Sequence, residues 1–288
     1  MNAIKMYIYK MIHSKSSLII LLAAVAMACF SIYMGKYESD YYKEHGEELA
    51  ELEQKSADLE KSNSEEMNFG IMVDAPVASV ETQPAVMEYV TADLKSGLLL
   101  IFFTIFVVLF VNSEESSGYI KNIASQAKRR GILVEAKAAA ICLYNFILMG
   151  VYMLACGIGV KLAYKDVKLG WNRDVTVFLA VMYLLMCAFG LFISCITILM
   201  RSNAMGIVLG LIDACGIGYL FTNTINHMID KENFDLNRYM VVGRINGMNV
   251  DSTSEVMVKA VIVAVLWGMI WLAVSEIVTV KRDIRGGM

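Results

Sequence analysis

Proline is nearly absent from this chain of 288 residues, which contains only Pro76 and Pro84. Because proline interrupts helices, its scarcity leaves room for long unbroken ones. Histidine is almost as rare: His13, His45 and His227 are far apart in the sequence. No paired Cys/His spacing occurs either, so the sequence predicts no metal site.

Catalytic patterns are missing as well, since no nucleophile triad or carboxylate dyad stands out. The chain also lacks the glycine-rich phosphate loop of ATPases, because its one Gly-Lys pair, Gly35–Lys36, is followed by Tyr37. These absences predict a protein that is not an enzyme. The cysteines all fall in apolar stretches and are interpreted as packing residues rather than disulfides. They are Cys29, Cys142, Cys156, Cys187, Cys195 and Cys215.

What the chain does have is long apolar runs, consistent with its mean hydropathy of +0.56. A bilayer core needs roughly 20 apolar helical residues, and six runs approach or exceed that length. The fold class predicted is therefore an all-α polytopic membrane protein with six transmembrane helices. The six predicted spans are residues 17–34, 94–111, 134–164, 175–200, 204–221 and 256–280.

The charges of the connecting segments sort by side. Residues 1–16, 112–137 and 281–288, with Arg201, carry 12 basic and four acidic residues. Basic short segments stay in the cytoplasm, so both termini are predicted to be cytoplasmic in a bacterial cell membrane. Residues 35–93, an acidic and partly helical loop, and residues 222–255 are then extracellular. A cleaved signal peptide is the alternative for the first run.

The first residues form a helical pattern with two faces. Ile4, Tyr7, Ile8, Met11 and Ile12 share one face, and Lys5, Lys10 and Lys15 occupy much of the rest. This pattern predicts a helix lying on the cytoplasmic membrane surface over residues 1–16. A frayed tail is the alternative.

Residues 112–131 predict a second amphipathic element, a cytoplasmic helix between the second and third spans. Asn112 and Glu115 have the spacing of a helix-capping pair, and Gly131 has the character of a C-terminal stop. Glu114 and Glu115 stand near the positive end of this helix, and a basic cluster at 128–130 stands near its negative end. Such charges suit docking to a protein, and the alternative is binding to anionic lipid.

With these residues the chain resembles the permease subunits of ABC type-2 exporters, the small six-span bacterial kind. Their cytoplasmic helix after the second span carries a Glu, then after three residues a Gly, a basic residue and a further Arg. Glu114, Gly118, Lys121 and Arg129 or Arg130 match that pattern, whereas the usual Pro-hydrophobic-Ser-Arg is replaced by Gln126-Ala127-Lys128-Arg129.

The resemblance implies a second permease copy or paralogue and a separate ATPase that binds ATP and Mg, so that no cofactor is held by this chain. Its substrates would be peptides, including antimicrobial ones, or hydrophobic drugs, and no nucleic acid is expected. The residues that would dock the ATPase are Glu114, Glu115, Gly118, Tyr119, Lys121, Asn122, Arg129 and Arg130.

Inside the predicted spans, Asp213 is the one acid at mid-span depth. Intramembrane acids face the protein interior or water. Asp213 is therefore a substrate or proton contact in a transport pathway, a structural group that hydrogen-bonds to a neighbouring helix, or a group beside a break in the fifth span. The glycines around it allow close helix approach and suggest that the fifth span lines a dimer interface. Two other functions stay open: a membrane scaffold or sensor with an extracellular ligand-binding loop, and an ion-driven carrier.

Overall fold

The computed structural model describes residues 3–44, 85–116, 131–164, 167–218, 222, 224–226 and 236–281. Within these ranges all regular structure is helical and no strand occurs. The helices are α1 (Ala3–His13), α2 (Lys15–Glu44), α3 (Val86–Lys95), α4 (Leu98–Ser116), α5 (Gly131–Ala163), α6 (Arg173–Met200), α7 (Asn203–Ala214), α8 (Val241–Gly247) and α9 (Ser254–Lys281), with a 3₁₀ turn at Leu236–Tyr239.

Four of these helices are long and apolar enough to cross a membrane. They are α2 in its part Lys15–Tyr37, α5, α6 and α9. Each corresponds to one of the six apolar runs, and no glycine with positive φ interrupts any of the four. The all-helical architecture expected of a membrane protein is therefore confirmed for the described residues.

The second run is not one straight helix. It is divided between α3 and α4, which are bent by 59° relative to each other. Counted together as one broken span, α3 and α4 raise the number of candidate spans to five. Residues 86–93, predicted as the end of an extracellular loop, instead form a helix that buries Val86, Tyr89 and Val90 in the bundle.

The fifth run also departs from the prediction of one helix over residues 204–221. Helix α7 ends after 12 residues at Ala214, and Cys215–Ile217 form a turn. Gly216 has a φ of +74°, a conformation that glycine adopts at helix ends without steric cost. A helix of this length spans about 18 Å at 1.5 Å per residue, less than a bilayer core of about 30 Å.

Helix α6 lies at the centre of the bundle and contacts α4, α5, α7 and α9. Its buried side chains include Phe178, Leu185 and Phe189. Helix α2 packs against α4 and α5, and its Ala24 and Ala28 are fully buried. By contrast, α9 leaves a wide apolar surface exposed, as expected for a helix that faces lipid.

One helix-end prediction is wrong. Asn112 lies within α4 rather than at the start of a helix, and its side-chain amide donates to the Oδ1 of Asn203 at 2.8 Å. The error comes from a polar residue that the long span includes within its own end, where the local sequence suggests a cap. The prediction that Gly131 ends the preceding helix concerns residues 117–130, which lie outside the described part of the chain.

Candidate functional site

The most unusual feature of the bundle is a pair of helix breaks that meet. Gly97, between α3 and α4, has a φ of +77°. A Cβ at Gly97 would lie 3.0 Å from the carbonyl oxygen of Ala214, the last residue of α7. Non-helical backbone at membrane depth is tolerated where it is buried in protein or lines water, and discontinuous helices of this kind form the binding sites of many transporters.

Local hydrogen bonds satisfy the backbone at the first break. The Ser96 hydroxyl donates to the carbonyl oxygen of Asp93 at 2.8 Å and lies 3.3 Å from the amide nitrogen of Leu98, which donates to it. The Ser-Gly sequence thus supplies both a side-chain partner for the freed backbone groups and the left-handed conformation that the bend requires.

At the second break, backbone hydrogen bonds close a turn like those found where a helix ends at a glycine. The amide nitrogen of Gly216 donates to the carbonyl oxygen of Asp213 at 2.9 Å, and that of Ile217 donates to the carbonyl oxygen of Ile212 at 3.0 Å. The carbonyls at the end of α7 are therefore partly satisfied within the turn, and the chain leaves the helix beside Gly97.

An acid lies beside each break. Asp93, one turn before Gly97, is only 2 % exposed. Its Oδ1 accepts a hydrogen bond from the Ser31 hydroxyl of α2 at 3.0 Å, and its Oδ2 accepts one from the Tyr152 hydroxyl of α5 at 2.6 Å. One carboxyl therefore joins α3 to two other helices.

Asp213, the acid singled out from the sequence, lies in the last turn of α7 and is partly buried. Its Oδ1 is 3.1 Å from the position that a Cβ on Gly218 would take. Among the described residues, its carboxylate makes no hydrogen bond to a neighbouring helix, so the structural hydrogen bond considered as one alternative is not present there. Its position beside a helix break agrees with the other structural alternative.

The glycines near Asp213 pack within the chain rather than on a free face. Gly206 and Gly210 are both buried in α7. A Cβ on Gly206 would lie 3.1 Å from the Val108 side chain, and one on Gly210 would overlap the Cγ2 methyl of Thr104. The suggestion that these glycines line a dimer interface is therefore wrong for Gly206 and Gly210.

The segments predicted to be cytoplasmic meet at one end of the bundle. The ring of Tyr7 in α1 packs edge-on against Phe110 of α4, with centroids 6.2 Å apart, and the Nζ of Lys137 in α5 is 5.8 Å from the Tyr7 ring centre. At the same end, a Cβ built on Gly131 of α5 would overlap the Glu276 side chain of α9, so the two helices approach closely there.

The opposite end gathers the segments predicted to be extracellular. The amide nitrogens of Val86 and Met87 donate to the carbonyl oxygens of Lys168 and Leu169, each at 3.2 Å. The Nζ of Lys95 donates to the Oδ1 of Asn249 at 2.7 Å. These described segments thus lie in two groups at opposite ends of the bundle. Which of the two ends is cytoplasmic stays a prediction from the charge pattern.

Helix α1 is present at Ala3–His13, within the predicted residues 1–16. Tyr7 and Met11 are buried against the bundle, whereas Ile4 and Ile12, placed on the same predicted face, are 48 % and 62 % exposed. Its location on a membrane surface stays a prediction.

Most of the predicted ATPase-docking residues lie outside the described part of the chain. Gly118, Tyr119, Lys121, Asn122, Arg129 and Arg130 fall in residues 117–130, and the side chains of Glu114 and Glu115 are likewise not described, although their backbone continues α4. The docking prediction therefore stays a prediction.

Sequence reasoning missed the grouping of Ser31, Asp93 and Tyr152. By the predicted bounds, Asp93 is the last residue of the extracellular loop 35–93, directly before the second span. The available signal was the Ser96–Gly97 pair, because Ser-Gly dipeptides mark turns and so predict a helix break close to Asp93. The pair does not indicate which side chains Asp93 meets.

The described residues contain no group of three or more His, Cys, Asp or Glu side chains arranged to hold a metal. Compared with known proteins, the chain matches no family model and no curated protein.

Proposed function

We propose that this protein is the membrane-spanning subunit of an ATP-driven exporter of the ABC type-2 kind, acting with a separate ATPase. The observation that carries the proposal is the convergence of α1, the end of α4 and the start of α5 at one end of the bundle. In the sequence, residues 117–130, with their family-like residues, lie between α4 and α5.

The physical logic is mechanical coupling. A soluble motor moves spans only through an element joined to them, and two helices that enter the bundle directly from a short connection provide that element. In this proposal Glu114, Gly118, Lys121, Arg129 and Arg130 contact the ATPase.

The proposal retains six crossings, in which α3 and α4 together form the second and α7 begins the fifth. Two copies, identical or paralogous, would pair with two ATPase chains in a bacterial cell membrane, with both termini cytoplasmic. The breaks at Gly97 and Gly216 would then lie within the transport unit, where Asp213 is available to a peptide or drug on its way outward.

The first test is whether a neighbouring gene encodes an ATPase with a phosphate-binding loop. The second is whether that ATPase co-purifies with this chain. Reversing the charges of Lys121, Arg129 and Arg130 to Glu is expected to abolish co-purification and transport-linked ATP hydrolysis. Membrane levels of the protein should be unchanged, because in this proposal the three side chains contact the ATPase and not the membrane-spanning helices.

A matched control reverses three exposed basic residues at the opposite end, Lys161, Lys168 and Arg173, with the same change in net charge. This variant should retain the ATPase. If both variants lost ATPase co-purification equally, or if the unaltered chain did not associate with the ATPase, the result would count against the proposal. It would favour a scaffold or sensor.

A further inference from the structure

Asp93 is a buried acid held by hydroxyl groups from two other helices. It is 2 % exposed, and both of its carboxyl oxygens are occupied, by Ser31 of α2 and Tyr152 of α5. Ser31 is itself 1 % exposed and Tyr152 is 1 % exposed. The three side chains form a closed polar cluster inside apolar surroundings.

None of the cations in the described residues pairs with this acid. Lys95 and Glu88 on its own helix are engaged elsewhere, with Asn249 and with the amide nitrogen of Ala85. On α8, Arg244 donates to the carbonyl oxygen of Arg238. The charged residues Arg173 and Asp174 at the start of α6 are exposed to the surroundings.

The other titratable groups near Asp93 are weak acids. Tyr89 is on α3, and Tyr152 and Cys156 are on α5, with Cys29 of α2 next to Cys156. None of them supplies a positive charge. A buried carboxylate that faces no cation is disfavoured relative to its neutral form.

The hydroxyl partners suit either form of the acid. Serine and tyrosine hydroxyls donate to a carboxylate and also accept from a protonated carboxyl. A proton can therefore be gained or lost at Asp93 without replacing Ser31 or Tyr152. Its loss leaves a charge that only water can fully solvate.

The cluster also lies at a hinge. Asp93 is one turn before Gly97, where α3 and α4 bend by 59°. Through Ser31 and Tyr152 it attaches α3 to α2 and α5. We propose that Asp93, Ser31 and Tyr152 form a proton-binding site that holds α3 closed against the bundle, and that loss of the proton releases α3.

The experiment is hydrogen–deuterium exchange of the full-length protein in lipid nanodiscs across acidic to mildly alkaline pH. Exchange of residues 86–97 is compared with that of a peptide from the middle of α5, which corrects for the pH dependence of intrinsic exchange. Exchange of 86–97 relative to the α5 peptide should rise with pH, by up to about tenfold per pH unit, the limit set by one proton.

Asp93→Asn keeps the size and stays neutral, so its α3 should stay protected and its exchange should follow pH only as the α5 peptide does. Asp251→Asn, at an exposed turn, is the matched control and should behave as the unaltered protein. Persistence of the full pH dependence in Asp93→Asn, or its absence in the unaltered protein, overturns the proposal.

Tyr152→Phe gives a second test should Asp93→Asn fail to fold. This variant removes the hydrogen bond between Tyr152 and Asp93. Its loss changes the stability of the protonated and the charged carboxyl by different amounts, so the pH at which α3 is half released should shift. An unchanged midpoint overturns the proposal. None of these measurements depends on the ATPase, so their failure would leave the proposed exporter function standing.

Discussion

At the scale of single residues, Gly97 meets two demands at once. Its φ of +77° places it in the left-handed region, and the Ala214 carbonyl oxygen lies 3.0 Å from where a Cβ would be. A side chain in that region costs about 1–2 kcal/mol, before any contact with Ala214 is counted. Gly97→Ala is therefore expected to lower the thermal unfolding temperature of the purified protein.

The control is Gly150→Ala in the interior of α5, where a Cβ would meet no atom within 4 Å. Alanine favours a helix over glycine by about 1 kcal/mol, so this variant should be as stable as the parent or more so. Equal unfolding temperatures for Gly97→Ala and the parent would mean that the break adapts freely and that the bend is not fixed by Gly97.

At the scale of elements, α7 packs through a stripe of small residues, Gly206, Gly210 and Ala214, at four-residue spacing. The spacing is that of close helix contacts in membranes, and here the stripe faces α4 and α6. Because a Cβ on Gly210 would overlap Thr104, we expect Gly210→Ala to destabilise the protein by about 1–3 kcal/mol through overpacking.

The measurement is thermal unfolding together with the oligomeric state in detergent. Gly268→Ala in α9 is the matched control, because its Cβ would make only ordinary contacts with Leu191 and Ala188. Suppose instead that Gly210→Ala separated a dimer and left the unfolding temperature unchanged. The stripe would then pack against a second copy of the chain, and packing within one chain would not explain its small residues.

The same element shows why the fold could be predicted only in part. Apolar length predicts that a segment is buried or spans a bilayer, because hydropathy sums over residues. Apolar length does not predict where such a segment stops. The end of α7 depends on the turn after Ala214, in which Gly216 has a positive φ angle. Equally, Asp93 is an outer-edge acid by its position in the sequence, and only the fold of α3 back onto α2 and α5 makes it interior.

At the scale of the whole molecule, the two ends of the bundle are chemically distinct, and the charge pattern assigns the end with α1 to the cytoplasm. In a background without the native cysteines, Lys5→Cys should react with a membrane-impermeant maleimide only after the cells are opened. Lys168→Cys, exposed at the other end, should react in intact cells. The reverse pattern would contradict the predicted orientation.

The sequence by itself determined that this is a helical protein with several segments apolar enough to span a membrane, and which connections belong together. Those properties follow from composition summed over many residues, so neighbours in space do not alter them. Only the tertiary structure decided that two of the runs are broken, that the breaks meet at Gly97 and Ala214, and that Asp93 is enclosed by Ser31 and Tyr152. Each depends on contacts between residues far apart in the chain, which a local pattern does not encode.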